Sequence, residues 1–372
     1  MKYRNRLFSS KDPYDTEGTE NLFASAMKEN CAYHYANNEK YHKILKAQSF
    51  SPEMLNEPDG LERLPFIPTA TLKKHDLNTA AKGVTVTSSG TSGSMSSINY
   101  DAGTLWNAAK MAHKICKKRG LISLKPTNYV VFGYKPHKGD KTAVTKTATL
   151  TTFLTPAIRR VYALKSQNGK YEPDLEGVLE AIMKFAKSHF PTRFMGFPSY
   201  TYFAMKMMDE RGINVKLPKG SMIMLGGGWK QYYREKVDKQ SFYELARKTL
   251  GVDESNIVEF FGAAEHAILY CDCPNHRFHV PIYGRVMIRD VNTFEKKQMG
   301  AMGLVNLMTP MVKSSPVLSV MTDDLGILRD GAECGCGITS PTLEIVGRVG
   351  LKDIITCAAG AENTLKNSGD EQ

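Results

Sequence analysis

Several stretches of this chain pair residue types with spacings that suit the binding of charged groups. In Ser88-Ser89-Gly90-Thr91-Ser92-Gly93, hydroxyls and glycines alternate directly behind the β-branched run Val84–Thr87. Glycines admit positive φ and close backbone approach, so successive N–H groups and hydroxyls can converge on a phosphate. The G-x-x-x-x-G-K-[ST] pattern of P-loop nucleotidases is absent. A flexible linker would have a similar composition. A position right after an apolar strand favours a ligand-gripping loop instead.

Three more segments follow predicted strands, where α/β sheets place their ligand sites. Gly226-Gly227-Gly228-Trp229-Lys230 lets a flat or charged group lie on backbone, with Lys230 able to meet a phosphate or carboxylate. The other reading is a tight turn with Trp229 in the core. Glu265, in Phe261-Gly262-Ala263-Ala264-Glu265-His266, is placed to hold a Mg²⁺ that also touches phosphate oxygens. In Met321-Thr322-Asp323-Asp324-Leu325-Gly326, two acids could accept hydrogen bonds from ribose hydroxyls or close an Asx turn. Finally, Cys271, Cys273, His276 and His279, with Cys334 and Cys336, offer four thiols and two imidazoles. Structural zinc takes four such ligands, although buried cysteines without metal would look the same.

Alternating strands and helices must position these groups. Apolar spacing from Asn21 to about Gln48 is helical, and Leu64–Pro68 is an extended connector. Asp101 or Thr104 is expected to cap a helix running to Gly120, followed by a strand at Tyr129–Phe132. Asp174–His189 is amphipathic, with Leu175, Val178, Leu179, Ile182, Met183 and Phe185 on its apolar side. Thr192–Pro198 reads as a strand and turn into a Tyr- and Met-rich helix ending near Gly212, a source of surface for an acyl group or plain core. Further strands are expected at Ser221–Leu225 and Ile257–Phe261, with a helix at Phe242–Leu250 between them. From Val280 onward strands dominate: Val286–Ile288, Gly303–Leu307 and Val317–Met321. The pattern is an α/β fold with mostly parallel sheets and a β-rich C-terminal part.

A chain of 372 residues has room for one large domain or two unequal ones. Its net charge of +11 favours acidic partners, yet no basic motif interleaved with aromatics points to nucleic acid. The start MKYRNRLFSSKDPYD has no apolar core of a signal peptide, and no run is long enough to span a bilayer. An odd count of seven cysteines, with two close pairs, argues for metal in a reducing, cytoplasmic setting.

Taken in order, Ser88–Gly93, Gly226–Lys230, Phe261–Glu265, His279-Val280-Pro281, Thr322–Gly326 and Glu344-Ile345-Val346-Gly347-Arg348 resemble the core motifs of the adenylate-forming (ANL) superfamily. Within it the chain is similar to acyl-protein synthetases of the LuxE type, related to phenylacetate–CoA ligases. The likeness covers nearly the whole chain, and Gly-Gly-Gly-Trp-Lys is its most specific part.

That resemblance implies an ANL-type large domain over residues 1–343 and a short tail over 344–372, without the usual full C-terminal domain and its catalytic lysine. Lys230, Lys352 or a partner would then supply the missing cation. The activity implied is ATP-dependent conversion of a carboxylic acid, fatty or aryl, to an acyl-adenylate, with transfer to a thiol. Ser88, Ser89, Gly90, Thr91, Ser92 and Gly93 would hold the β- and γ-phosphates, Gly226, Gly227 and Gly228 would border the nucleotide, and Glu265 would bind Mg²⁺. Asp324 would take the ribose hydroxyls and Arg348 the nucleotide or its phosphate. Alignment through His279-Val280-Pro281 selects Cys273, His279, Cys334 and Cys336 as zinc ligands. Cys357, among small neighbours near the C-terminus, would be the acyl acceptor before a partner such as a reductase or a carrier protein. A ligase acting on CoA or a carrier thiol is the alternative, and a catalytically inactive acyl- or nucleotide-binding partner is another.

Overall fold

The structure, a computed structural model, describes residues 1–80, 83–88, 95–135, 149–167, 170–229 and 235–348. It divides into two compact units, residues 1–115 with 262 onward, and residues 116–261. In the second unit, Ile257–Ala263, Met222–Gly226, Thr192–Gly196, Thr127–Tyr134 and Ala157–Gln167 lie side by side in that order, every neighbouring pair parallel. Lys170–Pro173 closes the edge antiparallel to Ala157–Gln167. Thr127 to Gly133 are buried at every position, as parallel strands covered on both faces require.

Helices Leu175–Ala186, Pro198–Glu210 and Lys239–Leu250 cover this sheet. Val178, Leu179, Ile182 and Phe185 of the first join Val130, Phe132, Phe194 and Ile223 in one core cluster. Each such side chain contributes roughly 1.5–3 kcal/mol on burial. Asp174 caps that helix by accepting from Gly177 N at 3.1 Å. Met183, expected on the apolar side, is exposed. Met205 and Met208 of the Tyr- and Met-rich helix are core residues.

The first unit holds a sheet in the order Phe278–His279, Thr342–Arg348, Ser319–Arg329, Met302–Met308, Arg285–Arg289, all antiparallel. Ile67–Pro68, the expected extended connector, adds parallel to Val320–Met321. Thr322–Gly326, expected as a loop behind a strand, instead sits inside the strand Ser319–Arg329. The strand Thr342–Arg348 runs through the expected 343/344 boundary. The helical N-terminal region breaks in two, Glu20–Asn37 and Glu39–Ala47, because Asn38 is extended and accepts from Tyr41 N at 2.9 Å. The α/β class stands, with one largely parallel sheet and one largely antiparallel.

Two histidines of this unit make its stability depend on pH. Burial pulls His34 down to about 4 and His266 to about 3, so both are neutral when folded near pH 7. Unfolded histidines titrate near ~6.5 and take up protons first as pH falls. Stability is therefore full above about pH 6.5 and drains towards pH 4, by up to about 1.4 kcal/mol per pH unit for each ring. Urea denaturation between pH 7 and 5 should show this slope, and His34→Gln with His266→Gln should flatten it. An unchanged slope in the double variant would contradict the assignment.

Candidate active site

The site in the first unit is built around a hairpin. Val84–Thr87 pairs antiparallel with Ser97–Tyr100, a strand too short and polar to stand out in the sequence. Ser88 closes the described part of the turn: its N–H donates to Ser96 O at 3.2 Å, and its Oγ accepts from Ser96 N at 3.0 Å. Ser89, Gly90, Thr91, Ser92 and Gly93 lie outside the described residues.

The hairpin clasps the segment carrying Glu265. Ser96 is fully buried and its hydroxyl donates a short hydrogen bond to Glu265 Oε1. Two turns of the pleat further on, Tyr100 Oη donates to Ala264 O at 2.8 Å. Burial, then the charge of Glu265, pushes the Tyr100 phenol well above its ordinary range, so it remains a donor. Glu265 itself is only 5% exposed. Neither Ser96 nor Tyr100 was visible as a site residue in the sequence, because each partner lies far away along the chain.

The adjacent acids have different duties. Asp323 Oδ1 accepts from Thr69 Oγ1 at 2.8 Å, and its Oδ2 lies 3.7 Å from Lys73 Nζ. That ties the strand to the helix Thr69–Lys74. Asp324 faces Arg348 across the antiparallel register and accepts from its Nε at 2.9 Å. Partial burial works against the Arg348 charge, but Asp324, Asp323 and Glu265 together raise its pKa. Glu265, Asp324 and Arg348 are thus electrostatic neighbours.

In the second unit, Gly226 ends the strand Met222–Gly226, and Gly227 and Gly228 take φ +82° and +67°. Only glycine adopts that pair of conformations freely. Trp229 is half-buried with its ring 5.6 Å from that of Tyr202, so it is not a core residue. Lys230 lies outside the described residues, as do Lys352 and Cys357.

Cys273, His279, Cys334 and Cys336 converge, their ligand atoms all within 4.8 Å of one another. Cys273 Sγ lies 3.4 Å from Cys334 Sγ, and Cys336 Sγ 3.2 Å from His279 Nε2. A tetrahedral zinc with bonds near 2.0–2.3 Å would space such atoms roughly 3.4–3.8 Å apart, so the donors fit. His279 Nδ1 donates to Ser340 O at 2.7 Å, which leaves Nε2 as the nitrogen available to a metal. Asn275 N donates to Cys273 Sγ at 3.3 Å. Cys271 is buried apart from the group, and His276 instead meets Asp272 Oδ2 at 2.9 Å.

A loss of the Ser96 hydroxyl should be read in metal dependence. Removing one charge-assisted hydrogen bond costs about 1.5–3 kcal/mol. On the Mg²⁺ role that the resemblance implies for Glu265, Ser96→Ala is expected to raise the Mg²⁺ needed for half-maximal ATP–pyrophosphate exchange about tenfold. An unchanged Mg²⁺ requirement would mean that Ser96 only packs.

The fold is that of an adenylate-forming ligase. The open conformation of 2-hydroxyisobutyryl-CoA ligase, bound to 2-HIB-AMP and CoA, superposes with a TM-score of 0.70 at 13% identity, covering 91% of this chain and 71% of that one. Its postadenylation state gives 0.69 at 14%, covering 91% and 70%. The chain belongs to the acyl-protein synthetase (LuxE) family, whose model matches residues 4–366. It is similar to the long-chain-fatty-acid–luciferin-component ligase of Vibrio harveyi, 27% identical over 201 residues. That match spans about half of each protein, 53% of this chain and 52% of the relative. The family and the adenylate-forming fold expected from the sequence are therefore both found. Among the described residues, no helix is long and apolar enough to cross a membrane.

Proposed function

We propose that this protein is an AMP-forming acid–thiol ligase that activates a carboxylic acid, of the fatty class, with ATP and passes the acyl group to a thiol. The observation that carries this reading is the clasp from the Ser88–Ser96 hairpin to Glu265, beside the Asp324–Arg348 pair. A carboxylate oxygen attacks the α-phosphorus and pyrophosphate leaves. A thiolate then attacks the acyl carbon and AMP leaves. The first step gathers anions, so catalysis rests on positioning and charge stabilisation.

In this reading the Ser88–Gly93 loop holds the β- and γ-phosphates. Glu265 is held by Ser96 in an orientation that offers carboxylate charge to a Mg²⁺, which when bound would neutralise phosphate oxygens. Arg348, kept cationic by its acidic neighbours, orients Asp324 and faces the nucleotide. Asp324 accepts from the ribose hydroxyls. Gly226, Gly227 and Gly228 border the nucleotide, and Lys230 supplies a cation. The Cys273–His279–Cys334–Cys336 cluster holds a structural zinc, remote in role from the chemistry.

Cys357 is the acceptor thiol in this reading, ahead of a partner such as a reductase or carrier protein. The other cysteines support it by elimination. Burial pushes Cys31 and Cys116 up to about 12, too high for a ready thiolate nucleophile. Cys271 is buried, and three more sit in the metal cluster. Incubation with ATP, Mg²⁺ and a long-chain acid should give a hydroxylamine-labile acyl group on Cys357. Cys357→Ser should abolish that label while sparing pyrophosphate exchange. Exchange without any labelled cysteine, with CoA or a carrier acylated instead, would move the acceptor off this chain.

A further inference from the structure

The parallel sheet of the second unit has two ends with different characters. Its carboxyl ends lead to Gly226–Gly228, on the side where ligands of such sheets bind. The opposite rim consists of residues 119–126, 153–156, 187–191 and 216–221, at the amino ends of four strands, and has no part in the reaction above. It is knit together by backbone and side-chain bonds. Ser123 N donates to Leu154 O at 3.2 Å, Thr192 N to Ser221 Oγ at 2.9 Å, and Lys125 Nζ to Lys219 O at 3.4 Å.

Large apolar side chains stand out from this rim. Leu124 is 91% exposed and Phe153 69%, and Ile122 and Phe190 are exposed as well. Beside them is an open surface hollow of about 380 Å³ whose lining includes Ile122, Leu124, Phe153, Leu154, Pro156 and Arg160. Arg160 fixes one wall: its guanidinium lies 4.9 Å over the Phe153 ring, and its Nε donates to Thr152 Oγ1 at 2.8 Å. Single exposed apolar residues are ordinary, whereas a cluster around a concavity marks an interaction surface.

In these four segments of the rim the charge has one sign, whereas the acids Asp253 and Glu254 precede the fifth parallel strand, Ile257–Ala263, three places along the sheet from Thr127–Tyr134. The four segments carry Arg119, Lys125, Lys187, Lys216 and Lys219 and contain no Asp or Glu, and Arg159 and Arg160 follow just beyond. We propose that this rim docks an acidic amphipathic helix of a partner protein. The helix would seat one or two apolar side chains in the Ile122–Phe153 hollow and set its carboxylates against Lys125, Arg160 and Lys219. A hollow flanked by fixed cations suits a helix with spaced anchors. A lipid surface would instead recruit a protruding apolar face. The docking surface is independent of the acyl chemistry, since it lies at the other end of the sheet.

The test is a display library of acidic 20-residue helical peptides, panned against the full chain. Counter-selection uses Leu124→Asp combined with Lys125→Glu, both on exposed side chains, with melting temperature confirming that the variant is folded. The expected winners are acidic peptides with Leu or Phe at i, i+3 or i+4 spacing. They should bind the wild type at least tenfold more tightly than the variant and weaken as salt rises. Pyrophosphate exchange should be equal in the two proteins. Failure to enrich any peptide, or equal binding to the variant, would overturn the proposal. So would binding to phosphatidylglycerol vesicles that needs Leu124 and Lys125 while peptides do not bind, which would make the rim a membrane surface.

Discussion

Glu265→Gln is expected to lower ATP–pyrophosphate exchange on the order of 10²–10³-fold, the usual loss when one preorganised electrostatic group is removed from a reaction centre. The substitution keeps side-chain volume and leaves an amide oxygen to accept from Ser96, so the hairpin clasp survives. Only the charge is lost. Because Glu265 is 5% exposed, a neutral replacement removes a desolvated anion and should not unfold the chain. The melting temperature should stay near that of the wild type while exchange collapses, and added Mg²⁺ should restore little. A variant with near-normal exchange would remove Glu265 from the reaction and leave it as a structural acid anchored by Ser96.

The second large effect concerns the group Cys273, His279, Cys334 and Cys336. Purified protein should contain about one zinc per chain. A structural zinc can contribute roughly 10–16 kcal/mol in peptide systems, while a domain's net stability is only about 5–15 kcal/mol. Cys334→Ser should therefore lose the metal and sharply lower the melting temperature, and a strong chelator should do the same to the wild type. Cys271→Ser makes the contrast, since Cys271 stands outside the group. It should keep the metal. A stable, active preparation without metal would contradict the assignment.

Which parts of this were legible in the sequence follows from how local their causes are. The strands feeding Gly226 and Glu265 could be read because each is a short apolar run, the first ending in Gly226-Gly227-Gly228 and the second in small residues, and both signals are local. The clustered cysteines and histidines stood out through their close spacing, although choosing Cys273, His279, Cys334 and Cys336 over Cys271 and His276 needed the resemblance. Asp323 and Asp324 were misplaced into a loop because aspartate is disfavoured in strands. The strand tolerates them because Thr69 and Lys73 engage the first and Arg348 the second. Those partners are distant in sequence and leave no periodic trace. Ser96 and Tyr100 were missed for the same reason, their value coming from Glu265 and Ala264 far down the chain. The helix break at Asn38 was missed because apolar spacing continues across it, while the side-chain cap to Tyr41 does not show in the spacing.

All of the proposed chemistry depends on one reversible step, formation of an acyl-adenylate. The decisive measurement is exchange of labelled pyrophosphate into ATP by the wild-type chain across a panel of carboxylic acids, from short to long fatty acids and aryl acids. Exchange that requires both an acid and Mg²⁺, is strongest for one chain-length class, and falls with Glu265→Gln is the expected result. No exchange with any acid, from zinc-loaded protein of normal melting temperature and with candidate thiol partners present, would contradict acid activation and favour a role in binding acyl groups or nucleotides.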